Sequence, residues 1–221
     1  MLQSELCKPY FNSNGKIADI VNNYDFMSFN IGPTLMGWIR TNTPDTYKRI
    51  QEADKSSQER MNGHGNAIAQ VYNHIIMPLA SEQDKRTQIR WGIEDFKFHF
   101  GRMPEAMWLA ETAINFETVV ELIKAGIKFT ILSPTQADKF RKFGDKKWTD
   151  CSNTNIDTTR PYRIYPRDKE GNLVCNGYLD VFSTTRGFLA LSDSNICSAM
   201  PGRLATASRA LGMQTAANRS S

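Results

Sequence analysis

Cysteine is scarce in this chain of 221 residues: there are four, Cys7, Cys151, Cys175 and Cys197, with no CxxC pair among them. Thiols so few and so scattered exclude a disulfide framework and read as reduced. Histidine is scarcer still, at three residues. His64 and His74 do not have the i, i+4 spacing of a helical metal pair, so no metal and no cofactor is expected. Long apolar runs are missing, none approaching the ~18 residues of a membrane span. The segment MLQSELCKPYFN lacks a basic region followed by an apolar one, so it does not read as a signal peptide. An excess of one charge is missing too, since 27 Lys and Arg against 23 Asp and Glu leave +4. The densest basic stretches, KSSQER and KFRKFGDKK, read as solvated helix or loop surface, and no nucleic-acid partner is expected. What remains is a cytoplasmic globular chain, 40% apolar and 23% charged, long enough for one substantial core.

Punctuation along the chain then marks elements. IADIVNNYDFMSFNI holds two strand-like apolar runs broken at Asn22-Asn23. Gly32-Pro33 opens a helix, TLMGWIRTN, with Leu35, Trp38 and Ile39 at helical spacing, and Pro44 opens a polar outer helix. NGHGNAIAQVYNHIIMPLA, with Gly63, Gly65, Asn66 and Asn73, reads as loop and site material. Ser81 is placed to cap a helix with Asp84 three residues on; Ile89, Ile93, Phe96 and Phe100 recur along it, and Gly101 stops it. EAMWLA is a short strand, Asn115 caps FETVVELIKA with Gly126 as its stop, IKFTILS is a β-branched strand, and PTQADKFRKF reads as a further helix. Strand and helix alternate, which predicts a parallel α/β sheet or barrel.

Within this frame Glu111 stands out as the one charged residue of AMWLAETAI. An unpaired buried carboxylate is costly, so it must be paired, facing a cavity, or on a turn. The end of a predicted strand is where a parallel barrel presents side chains to its mouth, and Ser133 ends the next strand. Glu94 and Asp95 fall on the long helix, with Asp95 a structural hydrogen-bonding candidate; His99 reads as packing or surface, and Glu105 as structural.

GHGNAIAQVYNHIIMPLA, DKRTQIRWGIEDFKFHFGRMPEAMWLAET and GIKFTILSPTQA together resemble glycoside hydrolase family 57, from about Asn12 to about Asp180. The resemblance implies an incomplete (β/α)7-type barrel over residues 1–181, here truncated at both ends, and a retaining reaction on α-glucans. It places the family's glutamate nucleophile on Glu111 and an aromatic of the sugar site on Trp108. It also brings His64 and His74 into a substrate-binding block. The residue types suit that chemistry: a retaining glycosidase pairs a nucleophile with an acid/base, and imidazole, indole and amide groups orient the sugar.

Two departures from the family pattern accompany the match. The chain reaches the matching region without the family's first strand and its H-x-H-x-x-Q-P type motif. After Leu179-Asp180-Val181-Phe182 the family continues with an aromatic-aspartate-glycine stretch carrying the acid/base, whereas residues 182–221 are rich in Ser, Thr and Ala. That segment reads as an out-of-frame tail, or else a low-complexity linker. Asp180 is not aligned with the acid/base. The expected activity is therefore that of an incomplete enzyme, with a non-catalytic carbohydrate-binding remnant and a metal-dependent polysaccharide deacetylase as the alternatives.

Overall fold

A computed structural model describes residues 7–142, 144–152, 156–183 and 213–215. These divide into two compact units, Met1–Ala69 with Gly92–Pro104, and Gln70–Trp91 with Glu105–Ser221. Most of the segment 182–221 expected to diverge lies outside the described residues.

The first unit opens with an antiparallel hairpin, β1 (Cys7–Phe11) and β2 (Ile17–Asn22), turning through Gly15. The break at Asn22-Asn23 is a helical turn over Asn23–Asp25, capped by the Asn22 side chain, which accepts from the Tyr24 N–H. Helices α1 (Pro33–Asn42) and α2 (Pro44–Arg60) each begin on a proline, whose missing N–H costs nothing there. In α1 the buried residues are Met36 and Ile39, while Leu35 and Trp38 are about half exposed. Of the three apolar residues at helical spacing, Ile39 turns inward, joined by Met36, and Leu35 and Trp38 do not. Met36, Ile39, Ile50, Ala53, Phe29 and Phe96 form the core of this unit. His99 is buried among them, its Nδ1 2.9 Å from the Tyr47 hydroxyl and its Nε2 3.5 Å from Asp95. His99 is thus the packing one of the two readings open to it, and Asp95, 22% exposed, lies beside it as a structural partner.

Helix α3 (Glu82–Phe100) begins in the second unit and ends in the first. Ser81 caps it by accepting from the Asp84 N–H, and Gly101 ends it at φ +69°. The short β3 (Ala69–Gln70) falls at the division, and β4 (Met107–Trp108) belongs to the second unit. Helix α4 (Phe116–Lys124) is capped by Asn115, and its Glu121 is buried between Arg86 and Lys124. Then β5 (Phe129–Leu132) lies parallel to β9 (Leu179–Ser183), which pairs antiparallel with β8 (Tyr162–Ile164). With β6 (Lys139–Lys142), β7 (Thr149–Asp150) and β10 (Met213–Thr215), the sheet runs in the order β5-β9-β8-β10-β6-β7. A parallel bridge, Ala106 to Phe129, sets the β4 segment beside β5. The fold is α/β, and the described strands do not close into a barrel.

The helix expected over PTQADKFRKF does not form. Ser133 and Gln136 close a reciprocal capping box around one turn, Pro134–Gln136, and the chain then extends into β6. The residues after that turn follow a period of two. Lys139 and Arg141 lie over the Trp148 ring, at 5.6 and 4.8 Å, while Phe140 meets Tyr162 edge-on at 5.9 Å. Part of KFRKFGDKK is accordingly strand, not helix or loop. Beside it Cys151 is buried, its Sγ donating to the Ala137 carbonyl at 3.4 Å, and burial pushes its thiol up. Alkylation of Cys151 at neutral pH is expected to be at least ~100-fold slower than in denatured protein. Peptide-resolved mass spectrometry measures this, and equal rates would contradict the buried placement.

Candidate active site

Glu111 sits where β4 ends, in the turn Ala110–Thr112, with φ 54° and ψ 24°. Thr112 follows at φ 54°, and His74 has φ 52°. Left-handed backbone costs an L-residue about 1–2 kcal/mol, and for a β-branched residue such as Thr112 it is a genuine outlier. Sequence reading reserves such positions for Gly or Asn, so nothing in AMWLAETAI announces this turn. Apolar burial anchors it on both sides: Met107, Leu109, Ala110, Thr112, Ala113 and Ile114 are all buried. The Glu111 side chain reaches outward, at 33% exposure. The sequence question about this carboxylate is answered by a turn that turns it out of its own apolar segment.

His74 faces this carboxylate, its Nε2 3.9 Å from Glu111 Oε1, with the imidazole 53% exposed. That distance is beyond a hydrogen bond, so at this exposure the pair orients more than it stabilises. The loop bearing His74 is tied down at both ends. The Val71 N–H donates to the Trp108 carbonyl at 3.2 Å, and the His74 N–H donates to the Val71 carbonyl at 3.3 Å. Buried Gln88 accepts the Asn73 N–H at 2.7 Å through Oε1, and its backbone carbonyl accepts the Tyr72 N–H at 3.3 Å. Trp108 is half-buried on β4, three residues before Glu111, between the buried Met107 and Leu109. Strand register is fixed beneath the turn by Thr130, whose hydroxyl donates to the Met107 carbonyl at 2.8 Å. Above it, Gln136 Nε2 donates to the Thr112 carbonyl at 3.0 Å. Gln136 and Thr112 were not singled out in the sequence, although the Ser133-x-x-Gln136 spacing is that of a capping box.

His64 belongs to the first unit, on an exposed loop that a buried ion pair holds in place. Asp54, 1% exposed, takes a bidentate contact from Arg102, Nε to Oδ2 at 2.9 Å and Nη2 to Oδ1 at 2.7 Å. Asp54 Oδ1 also accepts the Ala67 N–H at 2.8 Å, and Arg102 Nη2 donates to the Ala67 carbonyl at 2.9 Å. The Ser57 hydroxyl donates to the Asp54 carbonyl and accepts the Asn66 N–H, while Asn66 Nδ2 donates to the Tyr24 and Asp25 carbonyls. Gly65 lies against this pair so closely that a Cβ there would overlap both the Asp54 carboxylate and the Arg102 guanidinium. Gly65→Ala should therefore lower stability by about 1–3 kcal/mol in urea titration. An unchanged midpoint would show that the loop gives way without cost.

The remaining acidic residues near the strands are occupied. Glu105 accepts from Lys128 Nζ at 2.6 Å. Asp180 takes Arg163 Nε and Nη2 at 2.7 and 3.2 Å, and that bond raises the guanidinium value. Among the described residues, no group of three or more His, Cys, Asp or Glu is arranged to hold a metal ion. No described helix is long and apolar enough to cross a membrane.

With the geometry in hand, comparison with known proteins gives a direct result. Residues 3–176 match the family model for Glycosyl hydrolase family 57. The chain belongs to this family. It is 27% identical over 125 residues to Alpha-amylase 1 of Dictyoglomus thermophilum, a match covering 57% of this chain and 17% of that protein. Among solved structures, the 4-alpha-glucanotransferase from Thermococcus litoralis superposes with a TM-score of 0.50 at 16% identity. That superposition covers 81% of this chain and 25% of the transferase. A family 57 branching enzyme from Thermococcus kodakaraensis, crystallised with glucose and additives, gives a TM-score of 0.44 at 19% identity, covering 73% and 30%. The chain thus spans well under half the length of these relatives.

Proposed function

We propose that this chain carries the nucleophile of a retaining family 57 glycoside hydrolase or transglycosylase acting on α-glucans, and that Glu111 is that nucleophile. The observation that carries the reading is the conformation of Glu111: an outward carboxylate at a strand end, on strained backbone, facing His74 at 3.9 Å. Strain of this kind persists only where surrounding structure holds it, and it clusters at reaction sites. Family membership and the likeness to an alpha-amylase support an α-glucosidic substrate. The β4 segment, β5 and β9 then serve as part of the wall of an incomplete (β/α)7-type barrel, with Glu111 at its C-terminal rim.

In this reaction a Glu111 oxygen attacks the anomeric carbon as the bond to the leaving oxygen breaks. The departing oxygen keeps the electron pair and takes a proton, in a complete enzyme from a second carboxylic acid and in this chain from water, so turnover here is slow. Water or an acceptor sugar then displaces Glu111 at the same carbon, so configuration is retained. Trp108 offers an apolar face to the sugar, and His74 orients the carboxylate. The chemistry so written needs no cofactor. Incubation with maltooligosaccharides, followed from the first minutes by proton NMR, tests it: α-configured products are expected. β-Configured first products would overturn the retaining assignment, and binding without turnover would favour the carbohydrate-binding remnant.

A further inference from the structure

We propose that Gln136 is the positioning residue for Glu111. Its side-chain amide locks the turn after β5 onto the left-handed turn after β4 and holds the carboxylate in its attacking orientation. The inference rests on the reading of Glu111 as nucleophile.

Two successive residues, Glu111 and Thr112, occupy the left-handed region without a glycine between them. The bonds internal to their turn are Thr112 N–H to the Leu109 carbonyl and Ala113 N–H to the Ala110 carbonyl, both 3.0 Å. Bonds of that spacing close an ordinary right-handed turn equally well, so they do not select the left-handed form. Gln136 acts from outside the turn, gripping the Thr112 carbonyl at 3.0 Å from 24 residues away. This fixes the Thr112–Ala113 peptide plane, which closes the left-handed pair, and so restrains the backbone from which the Glu111 carboxylate projects.

Gln136 can do this because its own amide has no rotational choice. Its Oε1 accepts the Ser133 N–H at 2.7 Å, which leaves Nε2 to point at Thr112. Ser133 Oγ in turn lies 2.8 Å from the Thr135 hydroxyl and accepts the Thr135 N–H at 3.4 Å. Below this, the Ala106–Phe129 bridge and the Thr130 hydroxyl on Met107 hold the two strand segments in one register. The geometry needs one side chain that accepts from an N–H and donates to a carbonyl at once. A carboxylate of the same length accepts only, and a thioether does neither usefully.

Trapping with a 5-fluoro-α-glucosyl fluoride tests the proposal. Its C1–F bond breaks with release of fluoride as the Glu111 ester forms, so no general acid is required. The full chain and the variants Gln136→Glu and Gln136→Met are compared by intact mass for the maximal trapping rate and the half-saturating concentration, with thermal midpoints alongside. Gln136→Glu keeps the acceptor for Ser133 and loses only the donor to Thr112. Both variants should trap about 10²-fold more slowly, the loss expected for a reacting group displaced by about 1 Å. Half-saturation should stay within about threefold, because the sugar contacts are untouched. If Gln136→Met slows and Gln136→Glu does not, Gln136 is a turn cap only and the proposal falls. Parental rates in both variants overturn it as well. If the unsubstituted chain acquires no adduct on Glu111, the nucleophile reading itself fails, and this inference fails with it.

Discussion

Glu111→Gly should destroy the chemistry and raise the melting temperature together. Glutamate at φ 54° sits on backbone that only glycine adopts freely. Relief of that strain is worth about 1–2 kcal/mol, less the extra entropy glycine loses on folding, about 0.5–1 kcal/mol. The His74 contact that disappears is exposed and 3.9 Å long. Contacts of that kind contribute about 0–1 kcal/mol, and one 3.9 Å long falls at the low end, so the balance stays neutral to favourable. A rise of a few degrees, about 2–4 °C per kcal/mol for a chain of this size, is the expected reading in a thermal scan. Turnover of maltooligosaccharides should fall by about 10⁴-fold or more, the scale of losing a covalent nucleophile. The opposed directions are the informative part. A residue kept for stability loses stability when removed, whereas one kept for reaction at the expense of local strain does the reverse. A lower melting temperature with unchanged turnover would assign Glu111 to the scaffold.

Arg102→Met should be the most destabilising single change in the first unit. It removes the bidentate cation from Asp54, a carboxylate 1% exposed. It also removes a donor from the Ala67 carbonyl and the guanidinium that lies 4.9 Å from the centre of the Phe96 ring. Leaving one charge of a buried pair unmatched costs about 3–5 kcal/mol, which corresponds to roughly 6–20 °C in midpoint. Adding Asp54→Leu to Arg102→Met should recover only part of the loss. The uncompensated charge is gone, yet the Ala67 N–H that Asp54 accepts is then orphaned, at about 1–3 kcal/mol. Differential scanning calorimetry of the two single variants and the double variant measures the coupling. Additive losses would show that Asp54 and Arg102 do not act as a pair. Because Gly65 and Asn66 are held by the same network, the loop carrying His64 should gain hydrogen-exchange rate in step.

What could be read from the sequence was mainly what depends on neighbours in the chain. Ser81 and Asn115 cap their helices and Gly101 and Gly126 end them because those signals act over three or four residues. Glu111 at the end of a short apolar strand was legible for the same reason. The helix expected over PTQADKFRKF, residues 134–143, was not correct. Its capping residues were real, but they closed one turn, and the period-two packing of Lys139 and Arg141 on Trp148 decided the rest. The left-handed backbone at Glu111, Thr112 and His74 carried no sequence signal, since none of the three is glycine or asparagine. Contacts 24 and 48 residues long, Gln136 to Thr112 and Arg102 to Asp54, were out of reach because pairing at that range is a property of the fold. Of the four candidate site residues, Glu111, His74 and Trp108 share one unit, and His64 lies on the other.

The most direct measurement is the location of the covalent adduct on the unsubstituted chain after trapping with a 5-fluoro-α-glucosyl fluoride, read by peptide mass mapping. The fluoride leaves without acid assistance, so the result reports the nucleophile alone. One glucosyl adduct on the peptide containing Glu111, absent from Glu111→Gly, is predicted. An adduct on another carboxylate, or none under conditions that label an intact family 57 enzyme, would contradict the account.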